Sequence, residues 1–389
     1  MASPTVAQSP LDSIERIGPI IRQHADASEQ QRTLARPIVE ALIEHRLFQQ
    51  MVPAALGGPE IDPITWFRVV EAGARIDGST GWILFINGST GLAGQRMTPE
   101  LAEQYMRDPR TIAAGTTFPL GKATVTDGGF RVSGRWGYAS GCKHATILAA
   151  FCVAQNENGP ISPIPYAPVT TVDQVTIVEN WNVMGLAGTG SHDVVWDNVF
   201  IPEERCQSLV GPELNPFYRA PVYQLPFMTM FAFPIASVAL GIAQHAIDEV
   251  TAMAQTKVPN GPVTSTLRER PVAQLQIADA NALVGSARAW LYSALQKQWD
   301  TVQAGRGVGL PDRIEMWLAA ANAVRSGRQA VDLMHLAGGA TANFRGNAIE
   351  RCMRDIHAVS QHAVTSPAMW QAMGAMLAGL PPETPLISL

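Results

Sequence analysis

Apolar residues recur at helical spacing through the first hundred positions of the chain. Leu11, Ile14, Ile17 and Ile21 form one stripe, and Ile38, Leu42 and Ile43 form another, as expected of helices that bury one face. Gly57-Gly58-Pro59 interrupts the pattern before a third helix over about residues 64–74. Asp77-Gly78-Ser79 then precedes residues 80–86, which are apolar on nearly every side. A helix without a polar face is expected inside the protein.

From about residue 111 the pattern shortens. Thr124-Val125-Thr126, Asp127-Gly128-Gly129 and Phe130-Arg131-Val132 read as strand, turn and strand, the glycines supplying positive φ. Strand-like runs follow at 146–153, 175–178 and 194–201, separated by Pro- and Gly-rich joints, and predict a small β domain of sandwich or barrel type. Beyond a proline-rich joint at 216–226 the helices return and lengthen. Ile235, Val238, Ala239, Ile242, Ala246 and Val250 make one stripe, and Leu283, Ala287 and Leu291 begin the next. Pro311 stands at a helix start before Ile314, Leu318 and Ala321, and that helix stops at Gly338-Gly339. A last long helical pattern runs from 348 to about 378. The order predicts an α+β protein divided at 1–110, 111–215 and 216–389.

The 389 residues suffice for two or three packed units around one extended core. A net charge of -5, with no basic run, argues against a nucleic-acid partner. The four cysteines lie far apart and read as isolated buried thiols. The first ten residues carry no basic region followed by an apolar stretch, so no secretory signal is expected. Residues 225–242 are uncharged and approach transmembrane length. Pro226, Pro234, Thr229 and Ser237, and the following Gln244, His245 and Asp248, fit a buried core helix better. The expectation is a cytoplasmic protein without a membrane partner.

No metal-ligand spacing, phosphate-cradling loop or nucleophile elbow is present, so no metal is expected. Gly188-Thr189-Gly190 leads into a strand and is a poor dinucleotide fingerprint. Three clusters of polar residues and glycine remain: 136–141 (WGYASG), 181–191 (WNVMGLAGTGS) and 354–362 (RDIHAVSQH).

These clusters carry a family resemblance. Residues 134–145 (GRWGYASGCKHA), with 185–191 and the run ending at Ile201-Pro202, resemble the middle domain of acyl-CoA dehydrogenases and their oxygenase relatives. The ending RDIHAVSQHAVTSP, followed by GLPPETP, is similar to two-component flavin-dependent monooxygenases that hydroxylate phenols, indoles and related aromatics. Residues 77–82 (DGSTGW) and 220–230 (APVYQLPFMTM) fit the same branch, and the resemblance covers essentially the whole chain. It implies an acyl-CoA dehydrogenase-like fold: an N-terminal helical domain, a central small β domain and a C-terminal four-helix bundle, assembled as a homotetramer. It implies reduced FAD or FMN, FAD ahead of FMN, with O2 as co-substrate. A separate NAD(P)H-dependent flavin reductase would supply the flavin, since no NAD(P)H site is visible. A flavin C4a-hydroperoxide would then hydroxylate or epoxidise a small aromatic substrate. The alternatives on the same shape are an acyl-CoA dehydrogenase, an N- or S-oxygenating relative, or a non-catalytic scaffold.

The resemblance also assigns residues. Ala139-Ser140-Gly141 would pass beside the flavin ring, with Thr116-Thr117-Phe118 on the neighbouring strand and Trp82 flanking from the internal helix. Gln276 and Ala340-Thr341 would lie near the distal end of a flavin, contributed by a neighbouring subunit. A dehydrogenase needs a carboxylate base, but the two family positions for it hold Ser360-Gln361-His362 and Phe231. An oxygenase is better served by a histidine that titrates near neutrality. His362, beside Ala363, lies where the monooxygenases place theirs, so His362 and Ser140 are the expected catalytic residues. His357 reads as structural. Some members carry a second histidine where this chain has Asn87, Ser89 and Thr90. Those three can hydrogen-bond but cannot act as a charged acid, which counts against phenolate-style activation and leaves room for an electron-rich ring such as indole beside the phenols. Phe227, Met230 and Phe231 would suit a flat aromatic guest in the substrate pocket.

Overall fold

A computed structural model of the chain describes residues 9–208, 215–259 and 264–382. The end of the GLPPETP segment, from residue 383, lies outside them.

Helices α1 (Pro10–Gln31), α2 (Arg36–Glu44) and α3 (Pro63–Ile76) each begin with proline in the first turn, where no backbone N–H is needed. Ile14, Ile17, Ile21, Ile38 and Leu42 all face the core. The Asp77 carboxylate accepts the Thr80 N–H at 2.8 Å and starts α4 (Gly78–Ile86), whose first eight residues are all buried. Gly81 lets α3 approach, since a methyl there would stand 2.4 Å from the Ala74 Cβ. A 3₁₀ segment, Asn87–Arg96, and α5 (Pro99–Met106) lead to the strands.

The strands are β1 (Ala113–Thr126), β2 (Gly129–Ala139), β3 (Ile147–Asn156), β4 (Gly159–Pro160), β5 (Tyr166–Thr171), β6 (Thr176–Val178), β7 (His192–Pro202) and β8 (Cys206–Ser208). They form one hydrogen-bonded sheet in the order β6-β7-β2-β1-β3-β5-β8, with β4 paired to β3. Among the described residues the path is open, with β6 and β8 at its edges. The hairpin expected at 124–132 is present, Thr126 facing Gly129 across Gly128 at φ 73°. β1 and β3 run parallel, and every other pairing is antiparallel. Two irregularities matter for the site. β1 leaves its ladder with β3 between Thr116 and Gly121, and β2 leaves its ladder with β7 between Trp136 and Ala139. Bulges of this kind re-aim side chains, and both fall on the segments singled out beside the flavin. Trp136 and Trp196 fill the sheet's own core, ring centroids 5.6 Å apart.

The last part holds α6 (Phe227–Phe231), α7 (Pro234–Ala254), α8 (Pro271–Gln303), α9 (Leu310–Gly338), α10 (Ala348–Val359) and α11 (Pro367–Leu377). The apolar run that α7 contains passes by composition for a membrane span, yet 83% of its most apolar window is buried in the protein. It is the centre of the core: α3, α4, α9 and α10 all pack on it. The helices at the two ends of the chain therefore share one hydrophobic interior. The long helical pattern expected from 348 to 378 is broken. α10 stops at Val359, and α11 begins afresh at Pro367, capped by Ser366, which accepts the Met369 N–H. Proline cannot continue a helix, so the residues between form a short connection, and His362 lies in it.

Candidate active site

Three buried or half-buried groups meet where α4, the β2 turn and the α10–α11 connection converge. The Trp82 indole Nε1–H donates to Ser140 Oγ at 3.0 Å. The His362 ring stands edge-on to Trp82, centroids 5.8 Å apart with the planes at 65°. Ser140 Oγ lies 2.7 Å from Ser191 Oγ, which lies 2.7 Å from Thr189 Oγ1. Thr189 in turn donates to the Leu186 carbonyl at 2.7 Å.

A hydroxyl has one proton, which fixes the direction of this chain. Thr189 gives its proton to Leu186, so Ser191 must donate to Thr189, and Ser140 to Ser191. Ser140 thus keeps accepting capacity and has no proton to offer elsewhere. Thr116 Oγ1, on the strand beside β2, is buried and unpartnered. A buried hydroxyl left alone costs about 1–3 kcal/mol, so its position asks for a polar group from outside the chain. The family resemblance puts one planar ring with polar edges beside both residues. Thr117 and Phe118 follow at the bulge and are exposed, as is Ala363. Ala139 is buried, and Gly141 sits at φ 72°, where a methyl would stand 2.1 Å from Asn87 Oδ1.

His362 Nδ1 accepts the Val364 N–H at 3.4 Å, which leaves the ring proton on Nε2. Burial holds this imidazole down to about 4, so it is neutral at ordinary pH. His357 is occupied by Asp332 at 3.0 Å.

The polar groups of the 87–90 segment are turned inward. Asn87 Nδ2 donates to the Ala113 carbonyl at 2.8 Å, and its Oδ1 accepts from His144 Nε2 at 3.1 Å. Ser89 donates to Ile86, and Thr90 donates to Asn87 while accepting the Ala113 N–H. Phe227 and Phe231 stack at 4.4 Å, half-buried, with Phe151 of β3 at 6.3 Å from Phe227. Met230 is a core residue at 3% exposure. Gln276 is half-buried on α8, and Thr341 accepts from Lys257 Nζ at 2.7 Å beside the exposed Ala340. Among the described residues, no hydrogen bond or ring contact joins these last three to the Trp82–Ser140–His362 group.

Sequence reasoning passed over His144, Ser191 and Thr189. Thr189 and Ser191 stand inside the 181–191 cluster and His144 just beyond the 136–141 one, but the pairs that build the site are far apart in sequence: His144 and Asn87 by 57 positions, and Ser140 and Ser191 by 51.

Helices, an open sheet and a helical bundle around a tryptophan–serine–histidine cluster define a protein of the acyl-CoA dehydrogenase type. Its residues 15–108 match the family model "Acyl-CoA dehydrogenase, N-terminal domain", and residues 233–367 match "Acyl-CoA dehydrogenase, C-terminal domain". The chain is 32% identical over 387 residues to an indole-3-acetate monooxygenase of Pseudomonas putida, covering 98% of this chain and 97% of that protein. It is 27% identical to the flavin-dependent monooxygenase oxygenase subunit HsaA of Rhodococcus jostii, covering 92% of this chain and 94% of that one. The crystal structure of the HsaA monooxygenase from Mycobacterium tuberculosis superposes with a TM-score of 0.89 at 28% identity, over 98% of this chain and 100% of that one. The chain belongs to the flavin-dependent monooxygenases of the acyl-CoA dehydrogenase family. It is an oxidoreductase working with reduced flavin and O2.

Proposed function

We propose that this oxygenase hydroxylates or epoxidises a small electron-rich aromatic ring of the indole type, and that Ser140, Trp82 and Thr116 hold the flavin while His362 serves the oxygen transfer. Bound reduced flavin supplies two electrons, so that one atom of O2 enters the substrate and the other leaves as water. The observation that carries the substrate class is the inward turn of Asn87, Ser89 and Thr90, whose polar groups are committed within the protein. A phenol has to lose its proton to become reactive, and none of these three is a free base. An indole needs no deprotonation. The relative named for indole-3-acetate supports the same class.

The Ser140 hydroxyl supports a preference for reduced over oxidised flavin. It accepts rather than donates, and the reduced ring carries an N–H that the oxidised ring lacks. His362, neutral with its proton on Nε2, can donate one hydrogen bond to the oxygen being transferred. A dehydrogenase reading lacks its base, since position 231 is phenylalanine and residues 360–362 contain no carboxylate.

The flavin would come from a separate NAD(P)H-dependent reductase, in keeping with the "oxygenase subunit" names of relatives. A homotetramer is supported by large apolar side chains left outside in the C-terminal part: Leu275 of α8 at 65%, Leu336 of α9 at 67% and Phe344 of the α9–α10 connection at 70% exposure. Gln276, Ala340 and Thr341 stand among them, where they could complete a neighbour's flavin site. The test supplies reduced FAD or FMN from any flavin reductase and compares indole-3-acetate with simple phenols, measuring product and hydrogen peroxide. Oxygenated indole with little peroxide is expected. Turnover of phenols with no reaction of indoles would overturn the substrate class.

A further inference from the structure

Asp355 lies on α10, seven residues before His362, and is only 3% exposed. Its Oδ1 accepts the Leu186 N–H at 2.6 Å. Leu186 belongs to the loop that ends in Thr189 and Ser191 and holds a left-handed conformation at φ 54°. The loop is pressed onto α10 so closely that a methyl on Gly185 would stand 2.1 Å from the Arg354 carbonyl. On its other side, Asp355 Oδ2 faces the first turn of α4, where a methyl on Gly78 would stand 2.7 Å from it. Asp77, the carboxylate that caps α4, lines the same cavity of about 30 Å³ with Asp355, His245, Arg351 and Cys352. That space holds about one water molecule.

Two buried carboxylates around one small cavity cannot both carry charge cheaply. The nearby cations Arg351 and Arg354 favour a charged Asp355, but they offset the burial only in part because each is shared with other acids. Arg354 is bound to Glu29 at 2.5 Å and Glu350 at 2.6 Å, Arg351 to Asp26 and Glu29, and His245 sits 3.7 Å from Glu249. Asp77 is already the hydrogen-bond acceptor for the Thr80 N–H and hydroxyl.

We propose that Asp355 is a positioning residue that works as a neutral acid: one oxygen holds the Leu186 N–H, and the protonated oxygen donates into the cavity toward Asp77. One side chain would thereby tie together the loop behind Ser140, the helix carrying Trp82 and the helix leading to His362. Burial, and then the charge of Asp77, push this carboxyl up to about 7. It would ionise within the working range of pH, losing the hydrogen bond toward Asp77 and setting two like charges across the cavity, while the Leu186 N–H stays held. The inference rests on the reading that the loop and these two helices build the flavin site.

Asparagine copies the neutral acid, with an oxygen for Leu186 and an N–H₂ for Asp77; leucine copies neither. With reduced flavin supplied and an indole substrate, we expect Asp355→Asn to match the parent's ratio of product to peroxide at about pH 6. The parent's ratio should fall about threefold or more by about pH 8.5, while Asp355→Asn stays level. Asp355→Leu should be down about tenfold at both, and His245→Gln should keep the alkaline fall. An infrared band of a protonated carboxyl, present in the flavin-free parent at about pH 6 and absent from Asp355→Asn, reads the proton independently of any chemistry. Asp355→Asn as damaged as Asp355→Leu, loss of the alkaline fall in His245→Gln, or absence of the band would each overturn the proposal. A band present while no Asp355 variant changes the ratio would instead refute the placing of the flavin site.

Discussion

Replacing Ser140 with alanine removes the middle of a hydrogen-bonded chain that starts at the Trp82 indole and ends at the Leu186 carbonyl. Ser191 keeps Thr189, so the principal loss falls on the Trp82 N–H, whose indole is 9% exposed. Leaving such a donor without an acceptor costs about 1–3 kcal/mol, and urea unfolding should register a loss in that range. The effect on flavin is more discriminating. In the intact chain Ser140 accepts, so it matches a ring N–H and mismatches a ring nitrogen that itself accepts. Loss of one such bond, about 1.4 kcal/mol, weakens reduced flavin about tenfold and leaves oxidised flavin nearly unchanged. Ser191→Ala acts from the other side. It frees the Ser140 proton, so oxidised flavin should bind more tightly while reduced flavin holds its affinity. Anaerobic fluorescence titrations with FAD and FMN in both redox states measure all four dissociation constants. Unchanged affinity of Ser140→Ala for reduced flavin would refute its role. A Ser191→Ala effect confined to reduced flavin would refute the deduced direction of the hydroxyl chain.

His362→Ala should leave a folded protein that still binds flavin, with product down about 100-fold and peroxide release up; near-parental coupling would remove His362 from the site, and His357→Ala should be far milder. Gly141→Ala should cost upwards of about 2 kcal/mol by denaturant unfolding, since the positive φ and the 2.1 Å approach to Asn87 Oδ1 both oppose a side chain. His144 and His362 are each held down to about 4 by burial, below their ordinary 6.5. Their contribution to stability is therefore present above pH 6.5 and lost as pH falls through about 4. Asp355, raised from 3.8 to about 7, has the opposite sign. Its contribution, at most about 4 kcal/mol, is complete below 3.8 and gone once pH has risen through 7. A Tm profile should fall on both flanks, and Asp355→Asn should abolish only the alkaline loss; an alkaline flank unchanged in that variant would contradict the sign.

How far the fold and site could be read beforehand follows from the range of the interactions. Stripes such as Ile14, Ile17, Ile21 and Ile235, Val238, Ile242 report burial of one helix face, a local property, and all six are core residues. The wholly apolar 80–86 segment likewise reports an internal helix. The break around His362 was local too: Ser366-Pro367 is a cap and a helix start, but Ala363 and Val364 continued the apolar spacing and hid it. β5 escaped because Pro168 stands within it; the strand pairs through neighbours on β3 and β8 that no pattern along the chain records. The same holds for the site. The family resemblance pointed to Trp82, Ser140 and His362, but nothing along the chain orders the proton chain Ser140–Ser191–Thr189. Nor could it show that Asn87, read as a free pocket residue, is held by His144 and Ala113. Those facts arise where β2 leaves its ladder between Trp136 and Ala139, a departure that takes Tyr138 to φ 61° and brings Ser140 beneath α4. The chemistry is decided at the irregularity, and irregularity is what periodicity cannot carry.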